Sequence, residues 1–238
     1  GAQKAGAQVA FDAAANSPNL SNQTSGSWNH TTSGTNRYLV VGLSGWDQTF
    51  SIAGVTVTYA GVPMTKLGGP EGANNNDAVL WGLVDPALGT NLVQVSNIPA
   101  GFDQLGGGSV SFTGVHQTAP TGTLASTSYP TTGTVNITLA YGDLGVDIVY
   151  SGGNPVGTPP VPGAGETART SQTSGGGTTY HRMGTEAGTG TVTMNWTGGS
   201  TTDNAIAAIP IKAACTAGST VYSTAQASTT YVVPPGCT

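Results

Sequence analysis

The sequence predicts an all-β protein built as a sandwich. Three observations carry that expectation. Short β-rich runs recur between clusters of Gly, Pro, Asn and Ser, at roughly the 8–12 residue spacing of sandwiches and barrels. Several of these runs alternate apolar and polar residues strictly. Good helix formers in Ala/Leu/Glu/Lys stretches are missing from the 238 residues, which instead include 37 Gly, 37 Thr and 14 Pro.

The elements follow in order. In residues 37–44, Tyr38-Leu-Val-Val41 is apolar on both faces and belongs in the middle of a sheet. Runs at 54–60, 78–84, 91–96 and 109–113 come next. In residues 133–140, Val135, Ile137 and Leu139 share one face while Thr134, Asn136 and Thr138 share the other. After the run at 144–150, residues 190–196 set Val192, Met194 and Trp196 against Thr191, Thr193 and Asn195. Period-two patterning with one apolar face describes a half-buried antiparallel strand. A run at 205–212 closes the series. Two segments break the rhythm: a Pro/Gly loop at 151–165, which no sheet interior accommodates, and a hairpin tip centred on Gly175-Gly-Gly177. Neither marks a domain boundary, and no internal repeat of fixed period is evident. The organisation is one sandwich domain over 9–212, an N-terminal extension at 1–8, and a strand-rich tail at 213–238.

Composition narrows the function. The chain carries 6 basic and 11 acidic side chains, 7% charged in all, where an ordinary soluble domain carries about 25%. Six scattered basic residues exclude a phosphate-tracking nucleic-acid binder. No apolar run approaches the roughly 18 residues of a membrane-spanning helix. The first residue is Gly1, and Cys215 and Cys237 are the only cysteines. Together these lead us to expect a mature secreted chain whose signal peptide is removed. They also suggest a disulfide that closes a C-terminal loop. Such a loop contributes on the order of 3 kcal/mol. Two free thiols in a cytosolic protein fit this composition poorly.

Residues 9–212 resemble a group of secreted bacterial, lectin-like jelly-roll modules found in surface and matrix proteins. The resemblance rests on Phe11-Asp-Ala-Ala14, Trp28-Asn-His-Thr31, Asn36-Arg-Tyr-Leu-Val-Val-Gly42 and Val57-Thr-Tyr-Ala-Gly-Val-Pro-Met-Thr-Lys-Leu67. It continues through Leu80-Trp-Gly-Leu-Val-Asp-Pro86, Val110-Ser-Phe-Thr-Gly-Val-His-Gln-Thr118 and Gly163-Ala-Gly-Glu-Thr-Ala-Arg169. Gly190-Thr-Val-Thr-Met-Asn-Trp196 and Ala205-Ile-Ala-Ala-Ile-Pro-Ile-Lys212 complete it. It implies a jelly-roll β-sandwich, carries no catalytic motif, and does not extend into the tail.

Catalysis is not expected. The acids are dispersed, His30, His116 and His181 lie far apart in sequence, and no Gly-x-Ser-x-Gly elbow is present. Asp143 and Asp147, four apart on an extended strand, stand about 13 Å apart, too far for a glycosidase pair. No cofactor is expected. The oxygen-rich loop Asn74-Asn-Asn-Asp77, with Asn74, Asn76 and Asp77 as candidate ligands, suits calcium. The same residues serve equally as turn formers, and without Asp-x-Asp-x-Asp spacing the turn is the expected reading.

Sugar binding calls for an exposed aromatic platform flanked by amides and carboxylates. Trp46 with Asp47 and Gln48, placed in a loop after the 37–44 run, is the candidate, and Tyr180-His181-Arg182 is a second candidate cluster; for each of them core or loop packing is the expected reading. Trp28, Trp81 and Trp196 lie in strands and are expected in the core. Acceptor triplets for N-linked glycans occur at Asn22, Asn29, Asn136 and Asn195.

Both termini look like strands with no place in a finished sandwich. Ala5, Ala7, Val9 and Phe11 share one face, and the tail has β-like runs at 220–227 and 229–233 containing Val221, Tyr222 and Tyr231. The expectation is therefore an extracellular, non-enzymatic structural subunit that polymerises with identical copies into a filament or surface layer. A terminal strand added to a neighbour's sheet would join the copies. The alternative is a monomeric carbohydrate-binding or adhesion module.

Overall fold

The computed structural model describes residues 8–72, 75–128, 133–152, 158–200 and 203–214. In the first half the strands are β1 (Ala10–Asn16), β2 (Ser25–Thr32), β3 (Tyr38–Asp47), β4 (Thr56–Tyr59), β5 (Val62–Pro63), β6 (Thr65–Gly68), β7 (Asn75–Val84), β8 (Gly89–Ser96) and β9 (Gln104–Thr113). The second half has β10 (Ala125–Ser128), β11 (Gly133–Leu139), β12 (Leu144–Gly152), β13 (Val161–Pro162), β14 (Glu166–Ala168) and β15 (Gln172–Ser174). It ends with β16 (Thr179–Arg182), β17 (Gly184–Ala187), β18 (Gly190–Thr197) and β19 (Asp203–Ile211). The expected all-β fold is what these strands build. Among the described residues no helix is long and apolar enough to cross a membrane.

The strands form four antiparallel sheets. Two belong to the first half, ordered β1-β9-β3-β7-β6 and β2-β8-β4-β5. Two belong to the second, ordered β10-β19-β12-β16-β15 and β11-β18-β13, with β17 continuing along β12 and β14 pairing β17. The second half thus repeats the first: β10, β12, β16/β17 and β19 take the places of β1, β3, β7 and β9. In the outer sheets β11, β18 and β13 take the places of β2, β8 and β4. The unit over residues 9–212 therefore contains two sandwiches, and the repeat that residue identities do not show is present in strand order.

Three apolar cores separate the four layers. Trp28, Val57, Tyr59, Val93 and Val95 of one outer sheet meet Leu39, Val41, Leu43 and Trp81 of the inner sheet behind it. Ile137, Leu139, Val192, Met194 and Trp196 do the same for the second half, against Val149, Ile206 and Ala208. Between the halves, Tyr38, Val40, Leu80, Val110 and Phe112 face Val146, Ile148, Tyr150, Ala207 and Ile209. The two-sided apolar run at the start of β3 is explained: β3 lies between β7 and β9 with a core on each face. Trp28, Trp81 and Trp196 are buried, as expected.

The halves meet with two-fold character. β3 lies on β12, β7 on β12 and β19, and β16 on β9. Gly42 faces Ile148, and Ser44 Oγ donates to Val149 O at 3.2 Å, so β3 and β12 run in the same direction. Close approach needs small residues. A Cβ on Gly106 would stand 2.6 Å from His181 Cδ2, and one on Gly108 2.7 Å from Thr170 Cγ2. The Gly-Gly-Gly stretch of β9 lets the second half seat on the first.

Candidate functional site

The titratable groups are drawn into internal hydrogen-bond networks. His181 sits between the halves, where Nδ1 meets Ser44 Oγ at 2.9 Å and Nε2 meets Ser174 Oγ at 2.7 Å. Burial, with the Arg182 charge beside it, lowers its pKa to about 3. Next to it Gln104 Oε1 accepts from Tyr150 Oη at 2.6 Å and Thr179 Oγ1 at 3.0 Å. The candidate cluster Tyr180-His181-Arg182 is thus buried. Its polar groups find partners in Ser44, Ser174 and Gln172, which sequence proximity does not suggest.

Each sandwich also has its own polar core. In the first, Trp28 Nε1 donates to Ser109 Oγ at 2.9 Å, and Ser109 Oγ meets His30 Nδ1 at 2.8 Å. Burial takes the His30 pKa down to about 4. In the second, Asp147 accepts from Trp196 Nε1 and from the Gly184 amide, each at 2.7 Å. Glu166 Oε2 accepts from the Asn195 amide at 2.8 Å. Glu166 Oε1 finds no N–H or O–H donor among the described residues, and it faces Asp147. Burial raises both carboxyl groups, Glu166 further because the Asp147 charge opposes its ionisation. A proton on Glu166 would let it donate to Asp147 and satisfy both groups. Asp143 lies before β12 and not on it, and takes the Ala140 amide at 3.0 Å and the Ala213 amide at 2.9 Å.

The proposed sugar platform is taken apart by register. β3 runs on through Asp47 because Trp46 pairs with Asn76 and Gln104, so Trp46 is in a strand and not in a loop. Its ring is half-buried against the middle core. Asp47 points to the opposite face, buried, with its carboxylate taking the amides of Thr49, Phe50 and Asp103. Only Gln48 is exposed.

The calcium candidates separate for the same reason. Asn76 faces the middle core, its Nδ2 donating to Asn204 O at 3.3 Å. Asp77, next along the strand, faces the other way and takes the Gly72 amide at 2.9 Å. Burial raises its pKa to about 7. Asn74 lies outside the described residues. Among the described residues no cluster of three acids, histidines or cysteines is arranged to hold a metal.

The glycan acceptors fall on the outside of the stack. Asn29 in β2 and Asn136 in β11 are exposed on the two outer sheets, and Asn22 is exposed in a turn with φ 59°. Asn195 is half-buried, with Oδ1 taking the Thr134 hydroxyl at 2.7 Å.

What remains is the corner where both ends of the described chain emerge. Gln8 passes against Gly114, and the Val9 amide donates to Gly142 O at 2.8 Å. Ala214 donates to Gly114 O at 2.7 Å, and Ala213 bridges Val115. Val9 is buried in the middle core, and a register shift between Phe11 and Ala13 turns Phe11 outward under the Arg169 guanidinium. The candidates Ala5, Ala7, Val221, Tyr222 and Tyr231, and the cysteines Cys215 and Cys237, lie outside the described residues. At the same end, Lys212 donates to Pro120 O at 2.8 Å, and Pro120 forms one flank of a shallow groove. The groove is lined by Thr65 and Leu67 of β6 and by Gly82, Leu83 and Val84 at the end of β7; among the described residues β6 pairs on one side only, with β7. Comparison with protein-family models, with curated proteins and with solved structures finds no match.

Proposed function

We propose that this chain is an extracellular structural subunit that assembles with identical copies into a filament or surface layer, and that each half is a jelly roll. The observation that carries the assembly reading is the shared exit of both terminal segments beside a one-sided strand edge. An unpaired edge is a ready template for a further strand. Low charge supports the reading, since 6 basic and 11 acidic side chains offer little repulsion between copies. So does the use of His30, His181, Asp147 and Glu166 inside the packed layers, where a substrate has no access. The jelly-roll reading is supported by the order β1-β9-β3-β7 against β2-β8-β4, in which consecutive strands alternate between sheets.

The test is the size and shape of natively purified material. Light scattering should report large assemblies and electron microscopy a regular filament or layer. A monodisperse monomer at high concentration would falsify the proposal.

A further inference from the structure

We propose that the β6 edge and the groove beside it seat the C-terminal segment 215–238 of a neighbouring copy; this rests on the homopolymer reading above. The groove has the character of a strand acceptor. Leu67, Leu83 and Val84 give it apolar walls, and Val84 is 37% exposed. At its floor the Tyr38 hydroxyl packs over Gly82, where a Cβ would stand 1.9 Å from Tyr38 Oη. The outer side of β6 offers main-chain groups that no described residue pairs. The only charge on β6, Lys66, is already matched by Glu71 at 2.8 Å.

The tail has the complementary character. Residues 215–238 contain no charged side chain, and their runs at 220–227 and 229–233 are rich in Thr, Val and Tyr. Extended, 24 residues span up to about 80 Å. Direction favours a neighbour over the same chain. From Lys212, bonded to Pro120 on the groove's flank, the backbone runs to Ala214, bonded to Gly114. It thus leaves its own groove behind, and filling that groove from within needs a reversal that a neighbour's segment does not.

The experiment uses the full chain with p-benzoylphenylalanine in place of Val84, prepared in isotope-heavy and isotope-light forms and assembled as a mixture. Irradiation should join position 84 to residues within 215–238, with heavy–light pairs making up about half of the linked species. The same photoprobe in place of Leu92, exposed on the outer sheet, should give no such product. Large assemblies whose position-84 links fall elsewhere, or are absent, would overturn the groove assignment and leave the homopolymer reading standing. Links only within one chain would overturn the exchange. Monomeric material would remove both. As a second measurement, Val84→Glu should lower the assembled fraction at least tenfold without moving the thermal transition of the folded core. Unchanged assembly in that variant would count against the groove.

Discussion

Ser44 and His181 meet across the middle core at 2.9 Å, Ser44 from the central strand of the first half's inner sheet and His181 from β16 in the second. With Ser174 on the other ring nitrogen, at 2.7 Å, the imidazole is held at both ends in a site from which water is excluded. A polar contact so placed sets the lateral fit of the two sandwiches, because apolar contacts around it are non-directional. Ser44→Ala leaves one ring nitrogen without its partner. We expect a loss of about 1–3 kcal/mol, read as a lower urea midpoint with an unchanged slope.

The same enclosure fixes a charge state. With folded pKa values of about 3 for His181 and about 4 for His30, both rings are neutral where a free histidine, at 6.5, takes up a proton. Below pH 6.5 the unfolded chain binds protons that the folded chain refuses. The stabilisation is therefore complete above that pH and is lost as pH falls towards the folded values. An NMR titration should show the His181 ring unchanged down to pH 4. A midpoint near 6 would contradict its burial.

Glu166 works in the opposite sense. Its folded pKa is raised above its unfolded value, so its contribution is intact below about pH 4.5 and is lost as pH rises from there. Glu166→Gln keeps a neutral donor towards Asp147 and removes the titration. At pH 8 the variant should be more stable than the parent by at least about 1 kcal/mol, and at pH 4 the two should coincide. Chemical denaturation at the two pH values measures both. Equal stability at pH 8 would mean that no proton is shared between Asp147 and Glu166.

Gly106→Ala tests the seating of one half on the other. The added methyl would stand 2.6 Å from His181 Cδ2, and overpacking of this kind costs about 1–3 kcal/mol. The thermal midpoint should fall by roughly 2–4 °C per kcal/mol for a chain of this length. An unshifted midpoint would show that the layers part readily.

Trp46→Ala separates a packing role from a sugar-binding one. Its ring is half-buried against the middle core, so we expect a loss of about 2 kcal/mol, below the range for a fully buried Trp. Calorimetry reads it directly. Undiminished stability together with lost glycan-array binding would restore the platform.

The strands were legible where one rule governed them. Val135, Ile137 and Leu139 alternate with Thr and Asn because one side of β11 faces a core and the other faces outward. Tyr38-Leu-Val-Val41 declares a central strand because both of its sides are buried. The stacking of two sandwiches was not legible. The inner sheets meet partly through Ser44, Gly106, Gly108, Ala205 and Ala207, residues too small or too polar to read as a second core. The repeat was hidden because its conserved element is strand order, while the buried polar groups differ. Trp28 uses Ser109 and His30 in one half, and Trp196 uses Asp147 in the other. The burial of the candidate clusters was hidden for a shared reason: Trp46 and His181 acquire their surroundings from residues far along the chain.

The shared exit of the two terminal segments also sets how the molecule bears load. Tension applied at Val9 on one side and Ala214 on the other acts within a few residues of Gly114. Such a pull would bear on that corner first, while the long pairings of β3 with β7 and β9 lie away from it. A strained molecule would therefore give way first at its rim, with its three cores still closed.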